Sequence, residues 1–340
     1  MEPIDSLIER LRGLAEYYAP NPLATTLLAF ALGLLVIFVV PWNLNGPPSL
    51  LDPIPFIFNT SQFIFNNERF MTRVSPITLF SSHRKALKNA RLARFYLFST
   101  PVFLVSGQQN IRTIFAPSHK VGSEAIFAEN VFPVLYRMSK GDVRKFAQDK
   151  SGRGRLPAPG TEHVPLEQRY WYGYEHVHSE YLSRTQHLRP MAEWFRKRMS
   201  RTLDEGFAVG EWRTVSLIDF CKRQVAERSV ESLFGPRIFE LNPGLLDAFW
   251  EFDSNIFLLT LAIPRWLSPG PYRVQDRYYA MMSKYLDAAW ENFDWNGPEA
   301  DADWEPNFGA RACREVVKWL RDSGFHSQVA VGAMAMLVFA

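Results

Sequence analysis

Residues 17–51 hold no charged side chain, and inside that window residues 23–40 read LATTLLAFALGLLVIFVV, an apolar run of 18. As a helix rising 1.5 Å per residue, such a run spans roughly 27 Å, close to the hydrocarbon thickness of a bilayer. Pro22 opens it, and Pro41 with Trp42 closes it, placing an aromatic ring where a membrane interface favours one. A cleaved signal peptide would carry a shorter apolar region behind a basic start. The preceding residues instead set Glu2, Asp5, Glu9 and Glu16 against Arg10 and Arg12. The expected organisation is a tail over residues 1–21, an uncleaved transmembrane anchor over 22–42, a proline-rich hinge over 43–60 and a globular remainder over 61–340.

That remainder is rich in core material: the chain is 47% hydrophobic and 14% aromatic over 340 residues, which excludes disorder throughout. Basic residues number 38 and acidic 35, a balance too even for phosphate neutralisation, so no nucleic-acid partner is expected. Cys221 and Cys313 are the two cysteines, too few for a disulfide framework or a four-cysteine zinc site. Residues 83–94 (HRKALKNARLAR) carry five basic residues and no acid. Read as a helix, they put Arg84, Lys88 and Arg91 on one face, which suits either solvent or anionic lipid headgroups.

Downstream, residues 103–106 read as a short strand and 109–115 as a short helix. Glycine and proline make 151–165 a loop. Tyr170, Tyr174, Val177 and Tyr181 then repeat at helical spacing. Pro190 is expected to start a second helix that stops at Gly206. Ser216 and Asp219 form a capping-box pattern before a helix ending at Gly235-Pro236. Residues 245–262 are long and apolar, 278–290 and 314–320 amphipathic, and 329–340 apolar all round.

Motifs for a nucleophile elbow, a phosphate loop or a His-Glu-x-x-His zinc site are absent. His176 and His178 point apart on a helix and cannot share a metal ion. Cys221, on the expected helix of residues 217–234, is read as a small buried hydrophobe.

Taken in order, the segments resemble the microsomal cytochrome P-450 fold, closest to fungal enzymes of the sterol-hydroxylase-like branch. The anchor, the hinge (Pro47-Pro48 to Pro55) and residues 103–115 (FLVSGQQNIRTIF) look like its opening. Residues 212–234 with Gly235 look like its E helix. Residues 263–267 (IPRWL) and 272–290 are similar to its F–G region, and 308–340 to the approach and start of its I helix. The resemblance implies a fold class that is mainly α with minor β, with an N-terminal transmembrane helix followed by an incomplete cytochrome P-450 fold ending inside the I helix. It implies haem as cofactor, an NADPH-dependent reductase and membrane lipid as partners, a small apolar substrate (sterol-like or secondary-metabolite) and the endoplasmic reticulum membrane as location.

The departures matter as much. The family's haem-ligating cysteine sits in Phe-x-x-Gly-x-Arg-x-Cys-x-Gly, downstream of the I helix. Gly309-x-Arg311-x-Cys313 matches three positions of it, but Pro306 and Glu315 stand where Phe and Gly belong. Cys313 is therefore not read as the ligand, and the thiolate is expected to be missing from a chain truncated at Ala340, inactive alone, with the apolar face of 329–340 left uncovered. Glu193-x-x-Arg196 imitates the family's K-helix pair and reads as a salt bridge along a helix. In the family's C helix a basic side chain pairs with a haem propionate, and Arg169, His176 and His178 occupy the corresponding helix. The usual Trp-x-x-x-Arg is not met, because Glu175 follows Trp171 at that spacing. The rival expectation is a non-enzymatic single-pass membrane protein whose helical domain binds a partner.

Overall fold

The computed structural model describes residues 58–65, 69–70, 92–97, 100–116, 123–207, 210, 212–261 and 263–339. The anchor expected over 22–42 lies outside the described residues, as does the hinge up to residue 57. Among the described residues no helix is long and apolar enough to cross a membrane. This corrects the expected fold class, which hydropathy alone had given a transmembrane helix. What the structure carries is a mainly helical fold with minor strand, in two compact units that part between Val121 and Gly122.

The first unit contains α1 (Phe58–Phe65), an antiparallel hairpin of β1 (Leu92–Leu97) and β2 (Thr100–Val105), and α2 (Gln108–Phe115). Leu92 lies opposite Val105, and Leu97 opposite Thr100. The strand and helix expected from 103–115 are found. Two boundaries move. Residues 58–60, assigned to the hinge, belong to α1. Leu92, Ala93 and Arg94, assigned to a basic helix, begin β1, and residues 83–91 lie outside the described residues. The two-residue period wins there: Ala93 and Phe95 turn inward, and Phe95 packs on Phe63 and Phe70 with ring centroids 5.5 and 5.1 Å away.

The second unit opens with α3, an α-helical turn at Glu124–Ile126 that widens into a π-helix over Phe127–Leu135. Pro133 sits inside it and has no N–H to give the usual bond, and the wider turn closes with Tyr136 N–H donating to the Val131 carbonyl at 3.1 Å. The carbonyls of Val134 and Leu135 are taken by Gln275 Nε2 (2.8 Å) and by the Tyr279 hydroxyl, both buried. The last carbonyls of α3, left open where the helix ends, are thus satisfied by side chains of another helix. α4 (Lys140–Gln148) follows, begun by a complete capping box of Ser139 and Asp142.

Then come α5 (Tyr170–Ser183), α6 (Thr185–Gly206) and α7, which runs through Leu217–Phe220, a π stretch at Cys221–Val225 and Ala226–Phe234. α8 (Arg237–Leu241), α9 (Leu245–Thr260) and α10 (Pro269–Asn292) lead to the short pair β3 (Trp304–Glu305) and β4 (Gly309–Ala310). α11 (Arg311–Asp322) and α12 (Ser327–Leu337) complete the unit. Pro190 does not start α6: the first turn closes on the Arg184 carbonyl, and the proline costs only one bond near the N-terminus. Ser216 accepts from Asp219 N–H at 3.3 Å, which is half of the expected capping box.

α12 is the largest departure from expectation. Its apolar face is covered, not bare: Val329, Ala330, Val331, Ala333, Met334, Ala335 and Leu337 are all buried. It packs against α3, α10 and α11, and the Tyr278 hydroxyl donates to the Ala335 carbonyl at 3.1 Å. Each large side chain so covered is worth about 1.5–3 kcal/mol. Of residues 256–267, Leu259 is core while Trp266 and Leu267 are exposed.

Candidate functional site

α5 carries His176 and His178, Arg169 immediately precedes it, and its first turn explains where the three expected site residues go. Asp149, just past α4, accepts from Trp171 N–H at 2.9 Å through Oδ2, capping the helix from outside. Through Oδ1 it also accepts from the Ser151 backbone and hydroxyl, at 2.8 and 2.6 Å. The Trp171 indole N–H donates to the Phe146 carbonyl at 2.9 Å. Loop and helix are tied before any functional group is considered.

Arg169 completes that tie. It is buried, and its guanidinium donates to Ser151 Oγ at 3.3 Å, to the Arg155 carbonyl at 2.9 Å and to the Gly154 carbonyl. The same guanidinium lies 4.6 Å from the centroid of the Tyr172 ring. The other partner of Tyr172 is His176, whose ring is parallel to it within 8° at a centroid distance of 5.2 Å. Arg169 and His176 are therefore joined through Tyr172, while neither is joined to His178.

His178 faces elsewhere. Its Nδ1 lies 2.7 Å from the Tyr174 carbonyl and its ring 4.6 Å from the Tyr174 ring. Burial there holds its imidazolium below the usual histidine range, because a charged ring loses its water. No group of acids, histidines and cysteines able to hold a metal occurs among the described residues.

A recess of about 530 Å³ opens where the 151–155 loop meets the exposed face of α5. The loop contributes Arg153 and Arg155, and α5 contributes Tyr172, Glu175, His176 and Ser179. Arg153 is spoken for: it pairs with Glu124 and Glu175, each at 3.2 Å, and lies over Trp171. Arg184 at the far edge pairs with Glu180 at 2.7 Å. The Arg155 guanidinium has no partner among the described residues and is exposed. Beside the His176 imidazole, it gives the recess the N–H donors that a carboxylate or phosphate oxygen would accept from.

Tyr172 and His176 stand four apart on the open face, an aromatic backing a base, and that spacing was visible in the sequence. Arg155, in a proline- and glycine-rich loop, gave no such signal.

The sulfur atoms differ from each other. Cys313 is fully buried in α11, its S–H donating to the Leu233 carbonyl at 3.2 Å, and burial pushes the thiol pKa far up. It is a neutral core donor. Cys221 is exposed, against the expectation of a buried hydrophobe, because the first turns of α7 project beyond the core. Glu193 pairs with Arg189 at 2.8 Å and not with Arg196.

No family model matches the chain. It is 34% identical over 308 residues to the cytochrome P-450 monooxygenase calL of Penicillium decumbens, covering 90% of this chain and 55% of that one. Over 285 residues it is 23% identical to the cytochrome P-450 monooxygenase fsoE of Humicola fuscoatra, covering 82% and 45% respectively. A 138-residue stretch is 28% identical to the cytochrome P-450 monooxygenase efuG of Hormonema carpetanum. The chain spans about half the length of the first two relatives.

Proposed function

Because the chain belongs to the cytochrome P-450 superfamily, we propose that it serves haem-dependent monooxygenation of a small apolar substrate. In that reaction one atom of O2 enters the substrate and the other leaves as water, with two electrons drawn from an NADPH-dependent reductase and two protons from solvent. The observation that carries the reading is the 34% identity sustained over 90% of the chain.

Haem, when bound, supplies the iron at which O2 is activated. The chain's own residues suit one of its carboxylates. Arg155 offers an uncommitted guanidinium and His176 an imidazole, two donor groups for a carboxylate's two oxygens, while the Ser179 hydroxyl is engaged with the His176 carbonyl at 3.2 Å. Tyr172 fixes the His176 ring by stacking, so little rotamer freedom is lost on binding. Glu175, the acid in the recess, is paired with Arg153, a cation it shares with Glu124, which lowers its repulsion of the ligand. In this reading Arg155 and His176 hold the carboxylate, His178 stays out of contact, and Cys313 keeps its proton inside the core.

Two measurements test this. Hemin titrated into the purified chain, followed by tryptophan quenching, should bind more tightly than hemin dimethyl ester, which has no carboxylate. Equal affinities would remove the recess from the proposal. For the activity, the protein, haem and an NADPH-dependent reductase are supplied with isotopically heavy O2 and a panel of apolar compounds. One heavy oxygen atom in a product supports monooxygenation, and haem binding without any incorporation counts against it.

A further inference from the structure

Arg169 is a charged side chain that the fold spends entirely indoors. At 5% exposure it cannot meet a ligand in the recess, and its contacts run to Arg155 and Tyr172, which line it, and to Ser151 and Gly154 of the same loop. Three of its N–H groups hold Ser151, Gly154 and Arg155, which fixes the backbone from which Arg153 and Arg155 project. Its planar face packs on Tyr172, and Tyr172 in turn packs on His176. One guanidinium therefore bears on both sides of the recess, on the loop cation and on the helix imidazole.

We infer that Arg169 is a positioning residue for anion recognition: it presents Arg155 and His176 to a carboxylate that it never touches. The inference rests on the recess being the carboxylate site. Only a guanidinium meets the geometry, because a planar fork can reach three acceptors and stack at the same time. Lysine would reach one acceptor and leave the other carbonyls and the Tyr172 face without a partner. Burying a cation without a carboxylate partner is expensive, and charge-assisted bonds to backbone carbonyls are what offset it here.

The readout is a ratio, the affinity for hemin over that for hemin dimethyl ester, measured on the 340-residue chain. The wild type is expected to prefer hemin by about tenfold, which corresponds to ~1.4 kcal/mol. Arg155→Ala should reduce the preference to near unity, and Arg169→Ala should do the same from a distance. Arg169→Lys, which keeps the charge and is followed by circular dichroism to verify the fold, should retain only part of the preference. If Arg169 merely stabilised the fold, both ligands would weaken together and the ratio would stand, which would overturn the inference. A full preference in Arg169→Lys would overturn it too. A wild type without preference would sink the recess reading itself, a separate outcome from a wild type that discriminates and an Arg169 variant that still does.

Discussion

Gly332 on α12 lies so close to Tyr136 that a Cβ built there would stand 2.6 Å from the Tyr136 Cα and 2.8 Å from the Leu135 carbonyl oxygen. Helix and π-helix touch backbone to backbone. The contact explains how an apolar helix finds cover: its smallest residue admits the wide turn that Pro133 imposes on α3.

Gly332→Ala is the direct test of that approach. Helix propensity alone would favour the alanine by up to about 1 kcal/mol. Overpacking against an immovable backbone costs about 1–3 kcal/mol. Urea denaturation should therefore show net destabilisation. A variant as stable as the wild type would mean that α12 does not dock on α3 in this way.

Gly235 and Gly309 make a second backbone contact, between the end of α7 and the β3–β4 pair. Both adopt positive φ, 78° and 72°, and a Cβ on either would lie 2.4 Å from a backbone atom of the opposite segment. Each alanine substitution should cost at least about 1–2 kcal/mol from the left-handed conformation alone. The clash adds to this, and because it is shared, the double variant should cost less than the sum of the singles. Strict additivity in a double-mutant cycle would argue against the contact.

The two thiols should separate kinetically. Cys221 is exposed, whereas Cys313 is buried and hydrogen-bonded, its thiolate strongly disfavoured. A disulfide reagent should label one thiol per chain quickly and the second only at the rate of unfolding. Rapid labelling of both in the native chain would contradict the packing of α11.

His178 sets a pH dependence of known sign. Its folded pKa lies below the ordinary value of 6.5, so the unfolded chain binds a proton more readily than the folded one. Its contribution to stability is intact above pH ~6.5 and is lost as the pH falls through the depressed folded value. His178→Gln should flatten that part of the stability curve. An unchanged slope between neutral and mildly acid pH would show that the ring is not desolvated as described.

Much of the second unit was legible in the sequence because burial on a helix is a periodic, local signal. Tyr170, Tyr174, Val177 and Tyr181 mark the inner face of α5, and Gly235 ends α7 where a positive φ is required. The same order of segments carried the family resemblance that the relatives bear out. The site was legible only in part. His176 and Arg169 were marked as candidates by the resemblance, as basic residues of the corresponding helix, but their relation runs through Tyr172 and through carbonyls 14 and 15 residues away. A carbonyl is the same on every residue, so no side-chain pattern announces which one a buried guanidinium will hold. The same reason hid the cover of α12: its apolar run was plain to read, while Gly332, Tyr136 and Tyr278 meet only once three distant helices are packed. Sequence determined which segments are helices and which faces want burial; tertiary structure alone decided what buries them and which cation is left free to bind.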